Sequence, residues 1–195
     1  WKQAFANSAL GTLTSERLFR LNGPWDPDYT TGSGQTQPRY WDQLLSQHLY
    51  RRYRVDKIDY KVTFNNKTGH AAQVAVAIRP STEAVADTAE ELYLNSELNN
   101  TKIKIVLGDN QEGSMKVIRG SVNPAKHLAP SEAAYKADSS FSAPYSTYPT
   151  DQLLMHLLTS QMPVGSSIGH TVDMYVEFVY HCTVYELADS IAVST

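Results

Sequence analysis

The chain has 195 residues, 17 Lys and Arg against 20 Asp and Glu, a net charge of −3, and one cysteine, Cys182. A chain of that length buries roughly 70% of its unfolded surface, and a lone cysteine excludes an internal disulfide framework and a cysteine-based zinc site. The acidic balance argues against a body built to bind nucleic acid, and no apolar run approaches the ~18 residues of a membrane span, so no membrane insertion is expected.

In chain order, the first apolar run, "LTSERLFRL", reads as a strand. A long loop follows, carrying Pro24, Pro27 and Pro38 among aromatic side chains, with a short helical turn predicted over 42–49. In "KIDYKVTF", Ile58, Tyr60, Val62 and Phe64 point one way and Lys57, Asp59, Lys61 and Thr63 the other, the period of a half-buried strand. Tyr53 and Val55 have the opposite parity, which predicts a bulge near Asp56.

"AQVAVAIR" places Val74, Val76 and Ile78 on one face with small residues opposite, and "KIKIVL" places Ile103, Ile105 and Leu107 on one face. Between them, "STEAVADTAEELYL" is helix-like, with Thr88 and Glu91 spaced as a capping box. "MKVIRGSV" and "QLLMHLLTS" are further strands, and an eighth is expected between Ser139 and Ser146. The clearest strand is "TVDMYVEFVYHCTVYEL", whose even positions from Val172 to Val184 are apolar, Cys182 among them as an inert buried thiol. Turn signals separate these runs, and no strand–helix alternation occurs, which excludes a parallel α/β sheet. The expectation is one all-β domain over 1–195: an eight-stranded antiparallel jelly roll with long loops and one or two short helices.

Chemistry is sparse. None of the six histidines has metal-ligand spacing, and His181 with Glu177 reads as outward-facing surface. "GDNQEGSMK" has the glycine spacing of a phosphate loop but Ser114 where Lys must stand, so it reads as a hairpin loop. Asp26 and Asp28, spaced by Pro27, fit a turn at least as well as a cation site. No metal, cofactor or enzymatic activity is expected. Two sequons, at Asn66 and Asn99, carry no weight without evidence of secretion.

Two clusters remain. Arg51, Arg52, Arg54, Lys57 and Lys61 fall within eleven positions and alternate with Tyr50, Tyr53 and Tyr60. That composition neutralises phosphates and offers faces for base stacking; it equally suits a solvated strand edge that resists aggregation. Trp25, Asp26, Tyr29, Tyr40 and Trp41 crowd the long loop. They fit either a subunit interface, where aromatic anchors dominate, or a cap on the end of the subunit's own core.

"RLNGPWDPDYTTGSGQTQPRYWDQL", followed by "LYRRYRVDKIDYKVTF", resembles the capsid proteins of circovirus-like, Rep-encoding viruses with circular single-stranded DNA. The matching residues are Asn22, Trp25-Asp26-Pro27, Gly32 and Gly34, Gln37-Pro38, Trp41-Asp42-Gln43-Leu44, and Tyr50, Tyr53 and Val55. The likeness covers residues 19–64 and, more loosely, "NPAKHLAPSEAAYKADSSFSAPYSTYP"; Thr36 departs from it, standing where many relatives place His before Gln-Pro.

The resemblance implies a capsid subunit that self-assembles into a T=1 icosahedral shell around its DNA. It also implies a virion location, host nucleus during assembly, and a host attachment receptor as partner. Trp25, Asp26, Tyr29, Tyr40 and Trp41 would then meet neighbouring subunits. Arg51, Arg52, Tyr53, Arg54, Lys57 and Lys61 would touch nucleic acid, secondary to a basic amino-terminal arm expected before Trp1. The alternative is a lectin-like jelly-roll module that stacks loop aromatics on sugars.

Overall fold

The computed structural model of the chain describes residues 2–9, 15–30, 38, 41, 50–80, 82–86, 88–94, 101–109, 111–162 and 169–187. Among the described residues, nine strands run β1 (Lys2–Ala9), β2 (Ser15–Arg20), β3 (Tyr50–Asn66), β4 (Ala72–Arg79), β5 (Lys102–Val106), β6 (Met115–Val122), β7 (Ser142–Pro144), β8 (Leu154–Gln161) and β9 (His170–Leu187). One sheet has the order β1-β9-β3-β6, with β7 added to β3, and the other has β2-β8-β4-β5. All pairings are antiparallel. Only β4 and β5 are sequence neighbours that also pair; most other connections cross from sheet to sheet. Two four-stranded sheets wound in this order are a jelly roll.

The eighth strand is therefore β1, a segment the sequence pattern does not single out. The stretch expected to supply it, between Ser139 and Ser146, holds a 3-10 turn over Ser139–Phe141 and the three-residue β7. The helical turn expected over 42–49 lies outside the described residues. Among the described residues of the predicted "STEAVADTAEELYL" helix, Ala89–Leu94 (α1) are the helical ones. Thr88 caps it as expected, its Oγ1 accepting from the Glu91 amide at 3.2 Å. Two short helices were not foreseen, α2 (Ala125–Leu128) and α3 (Glu132–Ala137).

The core forms where the predicted faces meet. Ile58, Tyr60, Val62 and Phe64 of β3 pack with Val172, Met174, Val176 and Phe178 of β9, and against Val74, Val76, Met155 and Leu157 from the opposite sheet. Each fully buried side chain of this kind contributes roughly 1.5–3 kcal/mol. The register of β3 against β9 shifts between Val55 and Lys57, the predicted bulge. It returns Tyr53 and Val55 to the core face, and the Val55 carbonyl accepts from the hydroxyl of Tyr135 on α3 at 2.8 Å. A bulge leaves a backbone group without its ladder partner; here a buried tyrosine supplies one.

The β2-β8-β4-β5 sheet is covered on both faces. Residues 82–94 lay Val85, Ala86 and Leu92 over Ala75, Ala77 and Leu158, with Ile103 packed against them. That outer layer explains why β8 is buried from Leu154 to Ser160 without alternation. It also explains β5, whose Ile103 and Ile105 face outward while Val106 enters the core. Lys102 and Lys104 instead reach across the open side of the sandwich, donating to the Arg119 and Val117 carbonyls of β6 at 3.0 and 2.8 Å.

The segment read as a hairpin loop, from Gly108 to Lys116, joins strands of different sheets. Gly108 abuts the β3–β4 turn so closely that a Cβ there would lie 2.5 Å from the Gly69 carbonyl oxygen. In that turn Asn66 is fully buried, its Nδ2 donating to the His70 and Leu107 carbonyls at 2.6 and 3.0 Å. The first sequon asparagine is thus committed to the turn.

Candidate assembly surface

The loop after β2 folds back onto that strand. The Arg20 amide donates to the Pro27 carbonyl at 2.7 Å and the Tyr29 amide to the Leu18 carbonyl at 3.0 Å. The Arg20 side chain, almost fully buried, organises the turn. Its Nη1 donates to the Asp26 carboxylate at 3.0 Å and to the Asp26 carbonyl at 2.9 Å, and its Nε donates to Gln152 Oε1 at 3.0 Å. The rings of Tyr29 and Tyr148 lie 4.6 and 4.3 Å from the guanidinium carbon, close enough for cation–π attraction. Arg17 pairs with Asp28 beside it. Burial pushes the Asp26 carboxyl above its ordinary value, with Arg20 opposing and Asp28 adding to the rise.

Residues separated in sequence converge on one partner, the stretch 145–153. Trp41 Nε1 donates to the Tyr145 carbonyl at 3.1 Å, and the Tyr53 hydroxyl to the Thr147 carbonyl at 2.8 Å. The Trp41 and Tyr53 rings meet edge to face with centroids 4.8 Å apart. Asn22, fully buried, donates through Nδ2 to the Asp151 carbonyl at 2.8 Å and accepts through Oδ1 from the Leu153 amide at 2.9 Å. Asn22, Asp26, Trp41 and Tyr53 therefore build one cross-braced rim.

Among the expected interface residues, Asp26 and Trp41 are buried within the subunit, and Trp25 is half-buried against the core. Tyr29 is half-buried over Arg20, and Tyr40 lies outside the described residues, as do Gly32, Gly34, Gln37 and Asp42 to Leu44.

The expected nucleic-acid residues divide by face. Tyr53 is a core residue with no exposed surface, so stacking on a base is not open to it. Arg52, Arg54, Lys57 and Lys61 lie on the opposite, outer face of β3, mostly paired. Arg52 donates to the Ser142 hydroxyl at 2.7 Å, Arg54 pairs with Asp56 at 3.0 Å, Lys57 with Asp59 at 2.9 Å, and Lys61 with Glu177 at 2.8 Å. Arg51 is exposed. Glu177 also pairs with Lys2 at 3.1 Å, and His181 Nε2 lies 2.8 Å from Asp59. Among the described residues no group of three His, Cys, Asp or Glu is placed to hold a metal. Burial pushes the Cys182 thiol up to about 12, consistent with an inert side chain.

A second surface escaped the sequence pattern because β5 carries its apolar face outward. A groove of about 470 Å³ runs between β5 and α1, lined by Tyr93, Ile103, Ile105 and Met162 with Glu90 and Lys104. Tyr93 is 70% exposed and Ile105 49%. Exposed apolar surface of this kind marks contacts with other molecules.

No protein-family model matches the chain, and no curated protein matches it. Among solved structures it is similar to that of Desmodium yellow mottle tymovirus, at 15% identity and a TM-score of 0.38 over 97% of this chain and 90% of that one. A picornavirus capsid structure, of equine rhinitis A virus, is similar at 11% identity and a TM-score of 0.45, over 96% and 72%. An empty head of turnip yellow mosaic virus is similar at 14% identity and a TM-score of 0.37, over 95% and 82%. The chain is, by its own strand order, an eight-stranded antiparallel jelly roll with one short added strand.

Proposed function

We propose that the chain is a viral shell subunit that self-assembles into a T=1 icosahedral capsid around circular single-stranded DNA. The observation that carries this reading is the rim. Of the circovirus-like signature residues that the structure describes, Asn22, Asp26, Pro27, Trp41 and Tyr53 share one braced unit at the stretch 145–153. A stiff rim lowers the conformational entropy lost when copies meet. Trp25 and Tyr29 are its contact residues; Asp26 and Trp41 act by holding its shape. The β5–α1 groove is a further contact with a second copy. Closed shells arise when such head-to-tail contacts repeat about rotation axes.

The body contributes little to DNA packaging: its net charge is −3, and the β3 cations are held by neighbouring side chains. Arg51, Arg52, Arg54, Lys57 and Lys61 form a secondary contact at most.

The test uses light scattering on Trp25→Ala and Ile105→Lys. Both variants should stay folded and β-rich while particle yield falls. Undiminished particles in both would refute the assigned contacts.

A further inference from the structure

We infer that the polar pocket beside the rim is a binding site for a neutral saccharide. The pocket is an open depression of about 370 Å³, with Tyr29, Thr82, Thr150, Asp151 and Gln152 among its lining. Leu128 and Leu154 supply apolar wall. The volume falls in the range of small-ligand sites, which pair apolar walls with a few placed polar groups.

The polar groups are held in place but not used up. Asp151 is fixed through its backbone, the carbonyl accepting from Asn22 at 2.8 Å and the amide donating to Ser140 at 3.3 Å. Its carboxylate makes no hydrogen bond or ion pair within the described residues, and neither do the hydroxyls of Thr82 and Thr150. Gln152 accepts at Oε1 from Arg20, which fixes the amide orientation and leaves its Nε2 as the free donor. The pocket thus offers a carboxylate acceptor, an amide donor and two hydroxyls, beside an aromatic ring and two leucines. That set matches a ligand with adjacent hydroxyl groups on one edge and C–H groups on a face.

Charge decides between neutral and acidic sugars. Among the described residues, no Lys or Arg lines the pocket. Arg20, behind the wall, is already engaged by Asp26, Gln152 and two tyrosine rings. The Asp151 carboxylate repels a sialate, sulfate or phosphate. The site belongs to the unassembled subunit and does not rest on the shell reading, in which a neighbour covers Tyr29.

The experiment titrates the full chain with lactose, maltotriose and chitotriose, and in parallel with sialyllactose and a heparin-derived disaccharide. Binding is read by saturation-transfer NMR and calorimetry. At least one neutral sugar should bind saturably. Asp151→Asn should weaken that binding about tenfold or more, the weight of one hydrogen bond to a charged acceptor, and Thr150→Val should weaken it less. Both side chains are exposed and free, so the melting temperature should not move, which separates lost binding from lost fold. The inference is overturned by no saturable neutral-sugar binding at millimolar concentration, by binding of acidic sugars alone, or by binding that both variants retain in full.

Discussion

Trp41 and Tyr53 meet edge to face at 4.8 Å, and each donates a hydrogen bond to a carbonyl of the same stretch, at Tyr145 and Thr147. A loop residue and a strand residue are thereby one packing unit inside the subunit. Trp41→Ala should cost the folded subunit about 3–5 kcal/mol, the range for removing a large aromatic from a core. Chemical denaturation of the unassembled subunit reads this directly. A loss under about 1 kcal/mol would return Trp41 to the surface.

Arg20 makes a second prediction. Arg20→Met removes the partner of the buried Asp26 and should destabilise the subunit by about 3–5 kcal/mol, as breaking a buried ion pair does. Adding Asp26→Leu should recover a large part of that loss, because the stranded charge is then gone. No recovery in the double variant would mean that the ring contacts of Tyr29 and Tyr148, not the ion pair, hold the turn.

Stability should fall steadily on the acid side. Burial holds His170 below its ordinary 6.5 in the folded chain. Below 6.5 the unfolded chain binds protons that the folded chain resists, so stability is lost as pH drops toward the depressed folded value. Hydrogen bonds from Lys57, His181 and Ser121 hold Asp59 down at about 2, against an ordinary 3.8. Lys61 and Lys2 lower Glu177, and Lys136 lowers Glu132. Those contributions are present above the ordinary carboxylate values and disappear as pH falls through the folded ones. Asp26, with its raised value, runs the other way and loses its contribution as pH rises through the folded value. His170→Gln should flatten the melting-temperature profile below 6.5, and Asp59→Asn should flatten it only below about 4. A profile unchanged by either would contradict the assignment.

The two faces of β9 give a sharper contrast. Phe178 is 2% exposed and lies edge-on to Phe19 and Tyr180 at 5.9 and 5.8 Å, whereas Val179 is 58% exposed. Phe178→Ala should cost about 3–5 kcal/mol and Val179→Ala within about 0.5 kcal/mol. Denaturant midpoints measure both, and equal losses would overturn the parity.

The long strands were legible because period-two alternation over β3 and β9 is set by burial of one face, and the parity break at Asp56 announced the bulge. β1 was not, because "KQAFANSA" contains one large apolar residue and offers no face to read. The direction of β5 was not legible: alternation shows that Ile103 and Ile105 share a face but not which face, and the covering segment with Val85, Ala86 and Leu92 turns it outward. The same ambiguity hid Trp41 in the core, since an aromatic in a proline-rich loop looks alike whether it caps its own subunit or meets another. The stretch 145–153 acts mainly through backbone carbonyls, which any residue supplies, so its sequence carries little sign of that role.

Imaging the purified chain by electron microscopy, with and without circular single-stranded DNA and across ionic strength, tests the central claim most directly. Closed particles of one diameter, whose yield drops in Trp25→Ala, are the expected result. A chain that stays monomeric under every condition, while retaining its β-rich fold, would contradict it.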